Sequence, residues 1–306
     1  MKKGLFSAAV FLSGCLWGTM GYFRRNLGSM GLNSVEIILI RFSFAALLYA
    51  VTMCITNPSS FRIKLRDLPC FLGAGILSLL FFSACYFQAM NLMSLSAAAI
   101  LLYTAPCFVI LLSAPIFGEK ISPVKIFALL LAFAGCCLVS GVIGAELKIS
   151  AIGMLYGLGA GIGYALYSIF GKLILRRGYS SSAISFWASL FAAVGAGIIG
   201  GVSAPAEIVF SSFGSFTFCL ITAVITTYLP YMLYTFGLSG IEAGTASIIA
   251  SIEPVVATLV GLTVFSEKLS LWSAIGIFLV LAAIVILNIN PSKRAAVEGS
   301  QTNINS

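Results

Sequence analysis

Long apolar stretches recur along the whole sequence, separated by short clusters of charged residues, Gly, Pro, Ser and Asn. A helix needs roughly 20 apolar residues to cross the hydrocarbon of a bilayer. The loops between the stretches are short, and a polar tail covers 290–306. The pattern predicts ten membrane spans, at Leu5–Tyr22, Val35–Ile55, Leu68–Met90, Leu95–Phe117, Pro123–Ile143, Ile149–Phe170, Ser182–Val202, Phe213–Leu238, Ala243–Phe265 and Leu271–Ile289.

Composition supports a membrane protein. Hydrophobic residues make up 60% of the chain and charged residues only 8%, too few to solvate the surface of a soluble protein. We therefore expect the chain to lie in a lipid bilayer. It has no histidine, and its eight cysteines lie in or beside apolar stretches without a CxxC pair. These features predict neither a metal site nor a cofactor.

The basic residues predict an orientation. The net charge of +8 is spread along the chain and forms no compact patch, so we do not expect nucleic-acid binding. Lys and Arg prefer cytoplasmic loops. With a cytoplasmic amino terminus, twelve of them lie on that side and four, Arg24, Arg25, Lys148 and Lys268, on the other. The count predicts an inner (plasma) membrane protein with both termini, including the tail 290–306, in the cytoplasm.

An internal repeat gives the architecture. The stretch "YTAPCFVILLSAPIFGEKIS" (103–122) aligns with "SIEPVVATLVGLTVFSEKLS" (251–270), so that Pro106 matches Pro254 and Glu119 matches Glu267, 148 residues later. Five predicted spans separate equivalent positions, and an odd number turns the second copy upside down. The repeat predicts an all-α integral membrane fold with ten transmembrane helices in two inverted five-helix repeats, 5–143 and 149–289. Secondary transporters use this architecture and bind substrate near the membrane midplane.

Three motifs carry a family resemblance. With "GCLWG" in the first span, "RFSFAALL" in the second and "FGEKIS" after the fourth, the chain resembles the EamA family of the drug/metabolite transporter superfamily. The resemblance implies export of amino acids, other metabolites or toxic compounds. It also implies a central cavity lined mainly by spans 1, 3, 4, 6, 8 and 9. Related small multidrug pumps carry a Glu in the first span, and this chain has none there.

Polar aromatic residues fall in the spans that the resemblance assigns to the cavity. Span 8 places Thr227, Tyr231 and Tyr234 on one helical face. Tyrosines near the middle of a span are expected to face the bundle interior, because lipid would leave the hydroxyl without a hydrogen-bond partner. Tyr49 lies nearer a span end and is expected in the interfacial belt with Tyr22 and Tyr179. The candidate substrate-binding residues are Trp17, Tyr86, Gln88, Tyr103, Tyr164, Tyr231, Tyr234, Ser251 and Glu253.

Two charged residues lie inside predicted spans. Such residues usually face the bundle interior. Arg41 is expected to reach the outer interface, to tie helices together or to take part in coupling. Glu253 is either a hydrogen-bonded structural group or the site that couples transport to protons or binds a substrate amine. Pro106 and Pro254, equivalent in the repeat, are candidate gating positions because a proline frees a backbone carbonyl. Spans 4 and 9 are expected to be bent or locally opened at these prolines. Glu119 and Glu267, each beside a lysine at a span end, are expected to form interfacial ion pairs.

Together these features predict a secondary transporter and not an enzyme. The expected function is export of small metabolites such as amino acids across the cytoplasmic membrane by alternating access. Two other transport functions stay open, an uncoupled facilitator and a multidrug or toxic-compound exporter. An integral-membrane lipid-modifying enzyme is the alternative of another class. It would need a polar catalytic cluster at one interface, which the sequence does not offer.

Overall fold

The computed structural model describes residues 2–141, 143, 150–266 and 268–289. Within these residues the chain is helical and has no strand. The polar tail 290–306 and Glu267 lie outside the described residues. The helices are α1 Lys2–Gly18, α2 Met20–Ser29, α3 Ser34–Thr56, α4 Leu68–Leu72, α5 Phe81–Leu92, α6 Leu95–Leu102, α7 Ala105–Phe117, α8 Pro123–Val139, α9 Ala151–Arg176, α10 Ser181–Gly200, α11 Ser203–Phe210, α12 Phe213–Ala223, α13 Leu229–Gly240, α14 Ala243–Ala250, α15 Glu253–Val264 and α16 Leu271–Ile289.

The all-α membrane fold predicted from the sequence is confirmed. Nine helical stretches of the described chain are long and apolar enough to cross a membrane. The remaining predicted span, the fifth, is α8, a shorter apolar helix that packs along α16, its equivalent in the second repeat. Several spans consist of two short helices in line, because the helix is interrupted near the middle.

The interruptions reproduce the internal repeat. Helices α5, α6, α7 and α8 begin at positions 81, 95, 105 and 123, and α13, α14, α15 and α16 begin 148 residues later at 229, 243, 253 and 271. A π-helical segment precedes α5 at Gly73–Leu80, and another precedes α13 at Val224–Tyr228. The two halves therefore share local backbone structure as well as sequence.

Contacts between helix ends show that the halves run in opposite directions. Phe6, near the start of α1, packs on Gly240 at the end of α13. Lys172, near the end of α9, hydrogen-bonds to the carbonyl of Ile241 beside that same end. Helix α1 thus begins where its repeat equivalent α9 ends, as an inverted repeat requires.

Proline chemistry explains two of the breaks. Proline has no N–H for the carbonyl four residues earlier, and its ring clashes with that carbonyl. The carbonyls concerned belong to Leu102 for Pro106 and to Ala250 for Pro254, and these residues are the last of α6 and α14. The bent helices expected from the sequence are therefore present at equivalent places in both halves.

Some predicted boundaries are wrong. The first span continues through α2 to Ser29, seven residues past its predicted end at Tyr22. Arg24 and Arg25 are tolerated there because their guanidinium groups lie over aromatic rings of neighbouring spans, 4.8 Å and 4.0 Å from the ring centroids. Helix α11 occupies part of a stretch that we expected to be a loop between spans 7 and 8.

The predicted interfacial position of Tyr49 is also wrong. Its side chain is fully buried, its hydroxyl donates a hydrogen bond to the carbonyl of Tyr228, and its ring packs on the Tyr228 ring. Position along the span suggested an interface, but the phenol finds a carbonyl acceptor in the π-helical segment of the eighth span. Tyr49 is a packing residue between α3 and that segment.

Candidate functional site

The six spans expected from the family resemblance converge at the centre of the bundle. They enclose two small cavities that share the ring of Tyr164 as a common wall. The aromatic cavity lies between α1, the third span, α9 and α13, and includes Trp17, Phe82, Tyr164, Tyr167, Tyr231 and Tyr234. The acidic cavity lies between α6, α7, α9, α14 and α15, and includes Tyr103, Pro106, Tyr164, Ser247, Ser251 and Glu253.

Glycines let the helices approach closely around these cavities. A Cβ at Gly14 would lie 2.6 Å from Ile252, and one at Gly18 would lie 2.6 Å from the backbone of Glu253. Those distances are far below van der Waals contact, so α1 needs glycine at both positions. This close approach packs α1 against the broken ninth span.

The aromatic cavity is a tightly packed cluster centred on Trp17. Its ring centroid lies 5.1 Å from that of Tyr231, 5.3 Å from Tyr234 and 6.1 Å from Tyr164. The hydroxyl of Tyr234 is 2.7 Å from the hydroxyl of Ser168. Edge and tilted ring contacts of this kind hold the side chains in place beyond simple burial, so the cluster offers a preformed apolar wall with hydroxyl groups.

Glu253 supplies the negative charge of the acidic cavity. It is the first residue of α15, where the helix dipole favours an anion. The hydroxyl of Tyr164 donates to the carboxylate at 3.3 Å. Among the described residues no Lys or Arg lies within ion-pair distance of Glu253. The carboxylate is thus held by neutral groups and faces a cavity.

Arg41 supplies a positive charge nearby. Its guanidinium donates to the hydroxyl of Thr227 at 3.0 Å and to the carbonyl of Thr226 at 3.2 Å. That carbonyl is free to accept because Pro230, four residues later, has no N–H. Within the described chain Arg41 has no carboxylate partner. It lies close enough to Glu253 and Tyr231 to interact with both electrostatically.

Most predicted site residues meet at the two cavities. Pro106, a candidate gating residue, lies in the wall of the acidic cavity, and Pro254 is buried next to Glu253 without lining it. Tyr86 stacks on Phe82 outside the lining, and Gln88 is exposed and lines neither cavity. The predicted residues in the linings are Trp17, Tyr103, Tyr164, Tyr231, Tyr234, Ser251 and Glu253.

The site also contains residues that the sequence analysis did not select. Ser247 lies one helical turn before Ser251, and this spacing puts both on the same face of the span. Ser78 and Phe82 reach the aromatic cavity from the π-helical segment and the start of α5. A π-helical turn changes which side chains face the interior, and an ordinary helical period does not reveal it.

Comparisons with known proteins agree with this arrangement. The family model described as "EamA-like transporter family" matches residues 4–141 and again 151–289. An uncharacterized transporter of Archaeoglobus fulgidus is 31% identical over 279 residues, covering 91% of this chain and 94% of its own. An uncharacterized transporter of Bacillus subtilis, YxxF, is 23% identical over 313 residues, covering 99% and 96%.

A solved structure shows the same fold. A protein known by crystallography superposes with a TM-score of 0.78 at 17% sequence identity, and the match covers 93% of this chain and 96% of that one. The resemblance found in the motifs is confirmed by a family model that matches both halves separately. This chain belongs to the EamA-like transporter family and is a multi-pass membrane transporter.

Proposed function

We propose that this chain exports small zwitterionic metabolites such as amino acids across the cytoplasmic membrane by alternating access. The observation that supports the proposal is a pair of opposite charges at the centre, Arg41 and Glu253, neither of which has a charged partner among the described residues. Charges inside a membrane are costly and usually pair. A substrate that brings a carboxylate and an ammonium group would pair both.

The neutral contacts leave room for such pairing. Arginine has five N–H donors, and the bonds to Thr227 and Thr226 occupy two of the guanidinium nitrogens. Glu253 accepts one hydrogen bond from Tyr164 and keeps further acceptor capacity. The aromatic wall beside these groups, built on Trp17 and Tyr231, suits an apolar or aromatic side chain.

Protons are the proposed coupling ion, with Glu253 as the carrier. A carboxylate that faces first one side of the membrane and then the other can take up a proton on one side and release it on the other. Glu253→Gln keeps the shape of the side chain but cannot ionise. We expect this variant to lose the response of flux to an imposed pH gradient in proteoliposomes. A retained response would remove Glu253 from the coupling step.

A competition experiment tests the substrate class. Proteoliposomes that contain the purified protein are loaded with unlabelled L-phenylalanine. Uptake of labelled L-phenylalanine by counterflow is then measured in the presence of each of two competing analogues. Phenethylamine lacks the carboxylate and 3-phenylpropanoate lacks the ammonium group. We expect each to compete about tenfold more weakly than phenylalanine, because each leaves one buried charge unpaired. Equal competition by either analogue, or no counterflow with folded protein, would contradict the proposal.

Matched variants test whether Arg41 recognises the substrate carboxylate and Glu253 the substrate ammonium group. Arg41→Gln should weaken discrimination against phenethylamine, and Glu253→Gln should weaken discrimination against 3-phenylpropanoate. Arg62→Gln and Glu207→Gln change exposed residues of the same types and should leave both ratios unchanged. Direction is tested in cells fed a phenylalanine dipeptide, where expression of the wild type should speed the release of phenylalanine and Arg41→Gln should not.

A further inference from the structure

One end of the bundle is held together by a buried ionic network. This end, here named the Glu119 end, is where 58–67, 118–125, 176–180 and 241–244 meet. The carboxylate of Glu119 accepts hydrogen bonds from the backbone amides of Ala243 at 2.7 Å and Gly244 at 3.2 Å. Lys172 lies 3.1 Å from it. The side chain of Glu119 is only 5% exposed, so these bonds are shielded from water.

The network joins the two halves of the protein. Glu119 follows α7 in the first half, whereas Ala243 and Gly244 open α14 and Lys172 belongs to α9 in the second half. Lys125 of the first half adds a 2.7 Å ion pair to Glu242. An anion at the amino end of a helix is stabilised by the free amides and the dipole. The bonds therefore fix the end of α7 to the start of α14.

Apolar packing continues this contact toward the acidic cavity. A Cβ added at Gly244 would lie 2.9 Å from Ile110 of α7, and Ile110 and Ile248 of α14 belong to one buried cluster. Ser247 and Ser251, on the next turns of α14, line the acidic cavity. The junction of α7 and α14 thus separates the central site from the Glu119 end.

The described residues at the equivalent place of the opposite end make other contacts. Arg24 is the repeat equivalent of Lys172, and its guanidinium contacts Met90 Sδ at 3.4 Å and the Phe87 ring. Among the described residues it has no carboxylate partner. The start of α6 is capped by its own Ser94. Glu267, the repeat equivalent of Glu119, lies outside the described residues.

We propose that Glu119 is the latch that closes the Glu119 end, so that transport requires its carboxylate to leave the amino end of α14. This inference rests on the proposed transport by alternating access. In the state described here, the latch is closed and the central site is shut off from that end. When Glu119 and Lys172 separate from α14, α7 and α14 part and the acidic cavity opens there.

The test measures access to the central site from each side. In protein with the eight native cysteines replaced, Ser251→Cys reports the acidic cavity, and an impermeant maleimide is applied to vesicles exposing one end or the other. In the Glu119→Gln variant, the Ser251→Cys thiol should be labelled about tenfold faster from the Glu119 end. This change corresponds to a shift of about 1.4 kcal/mol between the closed and open states of that end. The thiol should be labelled more slowly from the opposite end, because one population gains at the expense of the other.

Glu36 provides a matched control. Counted over the whole residue, Glu36 and Glu119 are both 8% exposed. Glu36 also accepts from a backbone amide, that of Asn33 at 2.7 Å, but it caps its own helix α3. In the Glu36→Gln variant, the Ser251→Cys thiol should be labelled from each end at the same rate as without this substitution. Unchanged labelling of Glu119→Gln would overturn the latch. Faster labelling from both ends would also overturn the latch, because it would show that the whole helix bundle had loosened and not that one end had opened.

A second variant keeps the inference testable if Glu119→Gln does not fold. Ile110→Cys with Gly244→Cys places two thiols across the α7 and α14 junction. Oxidation of this pair should abolish labelling of Ser251→Cys from the Glu119 end, and reduction should restore it. Equal labelling of the oxidised and reduced protein would overturn the latch. Neither readout uses amino-acid flux, so failure of the proposed substrate class would be seen separately, as folded wild type without counterflow.

Discussion

Arg41 and Glu253 are charged side chains held in place by neutral groups. A hydrogen bond from Tyr164 and the dipole of α15 stabilise the carboxylate. A threonine hydroxyl and a backbone carbonyl fix the guanidinium. Glu119 differs, because Lys172 and two backbone amides already neutralise and satisfy it. Arg41 and Glu253 therefore have no charged partner among the described residues, whereas Glu119 is paired within the protein.

Tyr49 leads to a prediction about stability. Its hydroxyl donates to the Tyr228 carbonyl inside the bundle, so Tyr49→Phe leaves that carbonyl without this donor. We expect the free energy of unfolding to fall by about 0.5–1.5 kcal/mol, the usual contribution of one such bond. Thermal unfolding in detergent measures the change. Tyr156→Phe, at a residue that is 37% exposed, should change it less. Equal midpoints for the two variants would contradict the prediction.

Glu119 leads to a prediction about pH. Its burial works to raise the pKa, but the amides of Ala243 and Gly244 and the ammonium of Lys172 outweigh this effect and hold the pKa of the carboxyl below its ordinary value of 4.5. A depressed folded-state pKa contributes stability that is present above the unfolded-state value and is lost as pH falls through the folded-state value. The charged groups packed around it are Lys172, Lys125 and Glu242.

We therefore compare wild type with Glu119→Gln, which cannot ionise. The unfolding midpoint of the wild type should exceed that of the variant by a constant amount above about pH 6 and converge with it as pH falls below the ordinary carboxyl value of about 4.5. Thermal melts between pH 3 and pH 8 give both curves. A difference that is independent of pH would show that the Glu119 charge does not contribute to stability.

At the level of elements, the helix around four prolines inside spans takes three different forms. Pro106 and Pro254 each end a helix four residues earlier. Pro230 follows a π-helical segment, and Pro115 lies within a continuous α7. The chemistry of the ring is the same in each case. Before Pro230, the carbonyl of Thr226 accepts a hydrogen bond from Arg41.

This difference shows how far the sequence could predict the elements. Apolar length predicted the spans, and the repeat shift predicted that breaks in α6–α7 and α14–α15 would correspond. The π-helical segments have no local sequence signal of that kind, so the facing of Ser78 and Phe82 could not be predicted. Tyr49 was misplaced for a similar reason, because its acceptor lies on a span 179 residues away.

The helix breaks lead to a prediction about transport. Pro254→Ala restores an N–H for the Ala250 carbonyl, so α14 and α15 can join into one helix. Glu253 would then lose its place at a helix amino end. We expect flux in proteoliposomes to fall by about tenfold, a barrier change of about 1.4 kcal/mol, with an unchanged or raised unfolding midpoint. Pro106→Ala should act likewise.

Pro115→Ala is the control for this experiment. Pro115 lies outside both cavities in an unbroken helix, so its replacement should leave flux unchanged. Wild-type flux in both Pro106→Ala and Pro254→Ala would show that the breaks are not needed for transport. A fall in flux together with a lower unfolding midpoint would point to misfolding and would also contradict the prediction.

At the scale of the whole molecule, helix packing departs from the symmetry of the repeat where α7 meets α14. Helix α7 packs on α14, whereas within the described residues the equivalent pair, α15 and α6, does not pack to a comparable extent. A transporter that opens to one side at a time must break its pseudo-symmetry in each state. The repeat in the sequence predicted two inverted halves. It could not predict which end is closed, because both copies carry the same Glu and Pro at equivalent positions.

Orientation in the membrane gives the last prediction, since it decides which side the Glu119 end faces. The excess of Lys and Arg in the loops of that end predicts that it faces the cytoplasm. Ser59 lies at this end, in the loop that contacts the one after α9, and Ser211 follows α11 near the opposite end. Both side chains are exposed. In a cysteine-free background, an impermeant maleimide applied to intact cells should label Ser211→Cys and spare Ser59→Cys, and permeabilised cells should label both. Reversed labelling would place the Glu119 end outside the cell and would make the proposed latch an outer one. Labelling of both positions in intact cells would contradict the span count itself.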